Sequence, residues 1–246
     1  MTNFLVVIED NRGSVHRMSK EAIAGAQNLD GNVTALVLGA NAESLAQELS
    51  SVEIDKTLIV NHDMVLTYNS DGYTEVVTKV IQSIDPDVII AGHSYQTRDF
   101  MPRVSARLDI PFISDVTMVN GDNYTKQVLN AKLNCTISSS SEKKILSFQS
   151  ACFSEEDMQS GSSNSQTIDI DLDSPTARSI SEEPFQESAS EVDLESADLI
   201  VSVGRGIEKE ENTSIAFDRD TLVELKKVFE DIDAKYGLKK QINAED

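Results

Sequence analysis

Up to Asn120 the chain alternates short, continuous apolar runs with longer segments whose apolar residues return every three or four positions. The runs predict buried strands and the longer segments predict amphipathic helices. Strands are expected over 4–9, 33–38, 57–60, 87–91 and 112–119. Between the first two, Ser19 is expected to cap a helix carrying Ala22, Ile23 and Ala26 on one face. A second helix starts near Asn41 with Leu45 and Leu49 inward. A third starts at Asp71, carries Val76, Val77, Val80 and Ile84, and is closed by Pro86. A fourth is expected over 97–108, with Met101, Val104 and Leu108 inward and Arg103 and Arg107 outward. Pro102 falls within the first turn of that span, where no backbone donor is lost. Apolar strands separated by single helices imply a parallel sheet covered on both faces. Right-handed crossovers make it doubly wound.

After Asn120 the helical spacing stops. Segments 124–137 and 144–153 read as β-rich with no helix between them, so antiparallel strands extending the sheet are expected. A polar tract follows from Ser154 to about Ser196. Within it, 167–172 alternates as a half-exposed edge strand, and 175–190 reads as an extended connection. A further strand over 199–203 leads to a Gly204-Arg205-Gly206 loop. An amphipathic helix over 220–236 then places Leu222, Leu225, Val228, Phe229 and Ile232 inward. The expected fold class is therefore α/β: a doubly wound, mostly parallel sheet with helices on both faces, extended by antiparallel strands, with a C-terminal strand–loop–helix after it.

Composition narrows the function classes. At 246 residues the chain can bury a sizeable core. A formal net charge of −21 argues against unaided binding to nucleic acid or to an anionic membrane surface. The two cysteines, Cys135 and Cys152, are not at metal-ligand spacing and do not suggest a disulfide scaffold. No basic leader precedes the first strand, and no apolar run is long enough to span a bilayer. A soluble, cytoplasmic chain without membrane insertion is expected.

Candidate chemistry is sparse. Gly204-x-Gly206 lacks the third glycine of a dinucleotide fingerprint, and no Gly-Lys-Ser/Thr phosphate loop occurs. Its place after a buried strand still favours it, because ligands gather at the carboxyl ends of parallel strands. Arg205 would supply a guanidinium that can grip phosphate oxygens or lie against a flat ring system. A second loop, 92–95, offers His93, Ser94 and Tyr95, with Arg98 just beyond. As nucleophile and base, Ser94 and His93 are poorly placed, being sequence neighbours with no orienting acid in view, so a capping or interface role is expected. His16 and His62 stand alone and read as surface residues. Asp169, Asp171 and Asp173 alternate along one strand but lack the glycine and closing glutamate of a calcium loop, so they read as a solvated face. No catalytic constellation and no metal site emerges.

The order of these features resembles the α subunit of electron-transfer flavoproteins. "FLVVIE", "SKEAIAGAQNL" and "VTALVLG" open the match. "PDVIIAGHSYQTRDFMPRVSARLDIPFISDVT" is similar to the family's most recognisable N-terminal stretch, and "ESADLIVSVGRGIEKEEN" to the entry into its second domain. The resemblance covers roughly 1–212 and implies an N-terminal α/β domain over 1–190 and the start of an FAD-binding domain over 191–246. It also implies FAD as cofactor, with Gly204, Arg205 and Gly206 as contacts, and a β subunit as partner. Dehydrogenases, including those of fatty acid β-oxidation, would be electron donors. Val203 stands where the first of the family's two loop glycines would be, and its Gln-Thr-Gly-Lys and Gly-Ile-Ser-Gly-Ala segments do not occur. Most of the FAD domain is therefore expected to be missing, and the chain alone is not expected to retain FAD. Two rival readings are a universal-stress-like module holding AMP or ATP on loops 10–12 and 92–94, and a non-catalytic assembly partner.

Overall fold

The computed structural model describes residues 1–172 together with Arg178 and Ser181. The chain divides into two units, Met1–Glu183 and Pro184–Asp246, and every described residue lies in the first. The strand over 199–203, the Gly204-Arg205-Gly206 loop and the helix over 220–236 lie outside the described residues.

The unit opens with β1 (Thr2–Val7), a two-residue hairpin of β2 (Asp10–Asn11) and β3 (Ser14–Val15), and α1 (Arg17–Asn28). Then come β4 (Gly31–Leu38), α2 (Ala42–Glu48), β5 (Lys56–Val60), α3 (Ser70–Ile84), β6 (Val88–Gly92) and α4 (Tyr95–Leu108). The last elements are all strands: β7 (Phe112–Asn120), β8 (Asn123–Val128), β9 (Leu133–Ser138), β10 (Lys144–Phe148) and β11 (Asn164–Thr167). Nine of the strands form one sheet in the order β11-β5-β4-β1-β6-β10-β7-β8-β9. It is parallel from β11 to β7 and antiparallel through β8 and β9. This is the expected α/β class.

The two-residue period of the strands sorts their side chains into two cores. Phe4 and Val6 of β1 face the side of α1 and α2, with Val33, Val37, Ile90 and Phe148. Leu5 and Val7 face α3 and α4, with Leu36, Leu58, Ile89 and Ile145. α3 and α4 end on Asp85 and Asp109, each at φ 53°, in the left-handed region that stops a helix. Pro86 follows the first of these ends, as its role as a stop signal requires.

Four expectations need correction. α1 starts at Arg17, capped by His16, whose Nδ1 accepts the Met18 amide at 3.2 Å. Ser19 lies inside the helix, and its hydroxyl accepts the Glu9 amide at 2.9 Å, tying the helix to the end of β1. α4 starts at Tyr95, so Pro102 is well past its first turn. It cannot donate to the Arg98 carbonyl, and the helix continues because Phe100, Met101 and Val104 are buried around the gap.

Segment 144–153 does not extend the sheet edge. Residues 144–148 form β10, a parallel strand inserted between β6 and β7 with every residue buried. A run apolar on both faces belongs in the middle of a parallel sheet. Its two polar residues, Lys144 and Ser147, have partners there. The edge strand also sits earlier than expected, at β11, which pairs with β5. Only Thr167 of the alternating segment belongs to it. Beyond it Ile168, Ile170 and Leu172 turn into the core under α3 and α4, leaving Asp169 and Asp171 exposed.

Candidate functional site

The strand order reverses between β1 and β6, so the crevice at their carboxyl ends is where this architecture receives ligands. Here the crevice is closed by its own residues. Ser94 caps α4 by accepting the Thr97 amide at 3.1 Å, and its hydroxyl donates to the Glu9 carboxylate across the gap. Gly92, the last residue of β6, lies against α1. A Cβ there would meet the Met18 Cβ at 2.6 Å, so the close approach of helix to strand needs glycine. Asp10 is turned into its own loop, accepting from the Gly13 amide and from Asn41 Nδ2, each at 2.7 Å. A phosphate in this crevice would face the carboxylates of Glu9 and Asp10, the wrong sign for the nucleotide-binding reading.

One strand further along, the carboxyl ends of β6, β10 and β7 hold a second polar group. The His93 amide donates to the Phe148 carbonyl at 2.7 Å, and its Nδ1 lies 2.8 Å from Ser147 Oγ. Its Nε2 lies 3.9 Å from Asp115 Oδ1. Asp115 has φ 62°, beside a register shift in β7, and this frees its amide to donate to Ser147 Oγ at 3.2 Å. The Asp115 carboxylate on the Nε2 side favours the tautomer with the ring proton on Nε2, in which Nδ1 accepts from the Ser147 hydroxyl. Burial holds the His93 imidazole below its ordinary pKa; the Asp115 carboxylate opposes this, and Arg98 and Lys126 reinforce it. The ring is neutral at neutral pH.

This arrangement does not make a nucleophile. Ser94 bonds Glu9, and the serine that meets His93 is Ser147, which is 0% exposed and out of reach of any substrate. The orienting acid absent from the sequence reading is Asp115 of β7, joined to His93 through Ser147 of the intervening β10. Ser94 takes the capping role expected of it. Tyr95 is 88% exposed, with the Arg98 guanidinium 5.4 Å from its ring centroid. His16 and His62 are half-buried caps rather than bare surface residues. His62 Nδ1 accepts the Met64 amide at 3.1 Å, as His16 does for Met18. Cys135 is exposed, and burial, with Glu21 adding to it, pushes the Cys152 thiol up to about 11. Among the described residues no three His, Cys, Asp or Glu side chains come together as a metal site, and no helix is long and apolar enough to cross a membrane. Gly204, Arg205 and Gly206 lie outside the described residues, and Asp173 does too. Among the described residues, the crevice between β1 and β6 presents the Glu9 and Asp10 carboxylates, which do not fit the phosphates of FAD.

A sequence model of the electron transfer flavoprotein domain matches residues 4–173. The electron transfer flavoprotein subunit alpha of Bacillus subtilis is 30% identical over 214 residues, 84% of this chain and 65% of the relative. A probable mitochondrial electron transfer flavoprotein subunit alpha of Caenorhabditis elegans is 32% identical over 225 residues, 89% of this chain and 66% of the relative. Protein FixB of Clostridium saccharobutylicum is 26% identical over 218 residues, 84% of this chain and 65% of the relative. The chain thus spans just under two thirds of the length of these relatives. With its match to the domain model running from β1 past β11, the chain belongs to the electron transfer flavoprotein family.

Proposed function

We propose that this chain is an α-type electron-transfer flavoprotein component, pairing with a β-type subunit to relay electrons from dehydrogenases to an acceptor. In this reading the described unit is a scaffold, and FAD belongs to a second domain beginning near residue 191, with Gly204, Arg205 and Gly206 as contacts. The observation that carries the scaffold role is the closed crevice, where the Ser94–Glu9 bond spans the position at which a nucleotide would sit. The far end of the sheet offers a surface for the partner. β9 has no charged residue and is exposed along most of its length, while Met118, Leu129 and Leu133 are 61%, 69% and 57% exposed. A cytoplasmic location is part of the proposal, and free thiols at Cys135 and Cys152 suit a reducing compartment.

The arginine of the glycine loop would supply about 1.5–3 kcal/mol as a charge-assisted contact. Micromolar affinity needs about 8 kcal/mol. The 246-residue chain alone is therefore expected to purify colourless, and to co-purify with a β-type subunit when the two are expressed together. Electron transfer to a dye, driven by a dehydrogenase donor, is the measurement that tests the pair. Turnover supports the proposal, whereas co-purification without turnover selects the assembly-partner reading. Failure to co-purify overturns it, and stoichiometric FAD on the chain alone overturns the expectation that it purifies colourless.

A further inference from the structure

Asp71 is the second residue of α3, and the helix does not need it as a cap. Asn69 already fills that role, its Oδ1 accepting the Gly72 amide at 2.7 Å. The Asp71 carboxylate is nevertheless only 10% exposed and is surrounded by donors from elsewhere. Arg178, 107 positions later, gives it three bonds: the backbone amide to Oδ2 at 3.0 Å, Nε to Oδ2 at 3.2 Å and Nη2 to Oδ1 at 2.6 Å. Arg103 of α4 adds Nη1 to Oδ1 at 3.4 Å. Three positions after Arg178, the Ser181 hydroxyl donates to the Tyr68 carbonyl in the loop before α3. The Tyr68 hydroxyl in turn donates to Asp99 at 2.7 Å, and Asp99 also pairs with Arg103.

Exposed ion pairs contribute little because water screens them and two long side chains must be ordered. The Arg178 side chain is itself 75% exposed, but the pair differs from a simple surface pair in three respects. The carboxylate is buried, the guanidinium engages both of its oxygens, and a backbone amide joins them, so the chain itself is held as well as a side chain. The site also lies at the N-terminus of a 15-residue helix, where negative charge is favoured.

We propose that Asp71 is a latch for the outgoing chain: by gripping Arg178, with Ser181 on Tyr68 beside it, it fixes the point at which the chain leaves the first unit. That unit ends at Glu183, so Pro184 follows Ser181 by three residues. Three residues reach at most ~10 Å when fully extended. The last described residue before the latch that is buried in the core is Leu172, twelve residues before Pro184. This inference does not depend on the electron-transfer reading.

Trypsin tests it directly, because cleavage after Arg178 requires the protease to take the guanidinium that Asp71 holds. The full chain is digested and the rate of cleavage at Arg178–Ser179 is divided by the rate at Lys132–Leu133. Lys132 is exposed between β8 and β9 and serves as the internal control for protease activity, with the melting temperature reporting global stability. In Asp71→Asn that ratio is expected to rise at least ten-fold. An unchanged ratio, or wild-type cleavage after Arg178 as fast as after Lys132, overturns the latch. Should Asp71→Asn fail to fold, Arg178→Gln decides. Its cleavage by a glutamate-specific protease after Glu182 and Glu183, measured well below the melting temperature of either chain, is expected to accelerate, and unchanged cleavage overturns the proposal.

Discussion

β1 and β10 are neighbours of the same strand, β6, and both lie deep in one sheet, yet they are held there by different forces. β1 carries Leu5 and Val6 at 0% exposure and gains its place by apolar burial on both faces. β10 also buries Ile145 and Leu146, but it takes Ser147 and Lys144 inside with them. Each polar group is matched by residues far away in the sequence. Ser147 meets His93 and Asp115, while Lys144 donates to Asp122 at 3.0 Å and lies 5.8 Å from the Tyr124 ring centroid. Burial alone would lower the Lys144 pKa, but the bonds and charges of Asp122 and Tyr124 outweigh it and the net shift is upward. An apolar strand fits a sheet at any register that keeps its faces; a strand with two placed polar groups fits at one. The difference teaches that β1 is specified by burial and β10 by pairing.

The largest effect that can test this comparison is on β1. Leu5→Ala removes a fully buried side chain, and the loss of transfer energy plus the cavity is expected to cost about 2–5 kcal/mol in a urea unfolding titration. A cost under about 1 kcal/mol would mean that burial does not hold β1 in place.

On β10 a far smaller excision should cost nearly as much. Ser147→Ala removes one oxygen, but it strands both the Asp115 amide and His93 Nδ1, and leaving a buried polar group unsatisfied costs about 1–3 kcal/mol. Measured the same way, Ser147→Ala is expected to fall in that range. A neutral result would show that pairing does not specify β10, and the contrast with β1 would collapse.

The same distinction decides what could be read from the sequence. β1, β4, β5 and β6 were legible because each is a continuous apolar run, and all but β5 were bounded by plain helix signals. β10 was legible as a strand but not as a central one. It follows a hairpin in chain order, and the partners that let Lys144 and Ser147 go inside, Asp122 and His93, are 22 and 54 positions away. The apolar spacing places the start of α4 at 97, two residues late, whereas Ser94 caps the helix one residue before Tyr95. At the crevice the loop residues His93 and Ser94 were visible, and so was the capping role. Their partners were not, since Glu9 is 85 positions from Ser94 and no local pattern joins them. The alternation over 167–172 correctly gave which side chains turn inward, but the strand pairing had already ended at Thr167.

The smallest expected effect is a difference in pH dependence between the two sides of the sheet. His93, at the end of β6 beside β10, is held below its ordinary pKa of 6.5, so the unfolded chain binds a proton there more readily than the folded one. Stability from this group is complete above about pH 6.5 and is lost as pH falls from there through the lower folded pKa. Asp71, at the start of α3, is lowered from 3.8 to about 2 by its bonds from Arg178. Here too the unfolded chain takes the proton first, so the contribution is intact above about pH 4 and is lost as pH falls toward 2. The two windows open at different pH values on acidification, because an imidazole and a carboxylate start from ordinary values well apart. Melting temperatures recorded from pH 8 to pH 2 should therefore fall in two steps. His93→Gln is expected to flatten the upper step alone and Asp71→Asn the lower step alone. If His93→Gln leaves the upper step in place, the imidazole is not the buried neutral group that ties β6 to β10, and pairing at that end of the sheet must come from Ser147 and Asp115 without it.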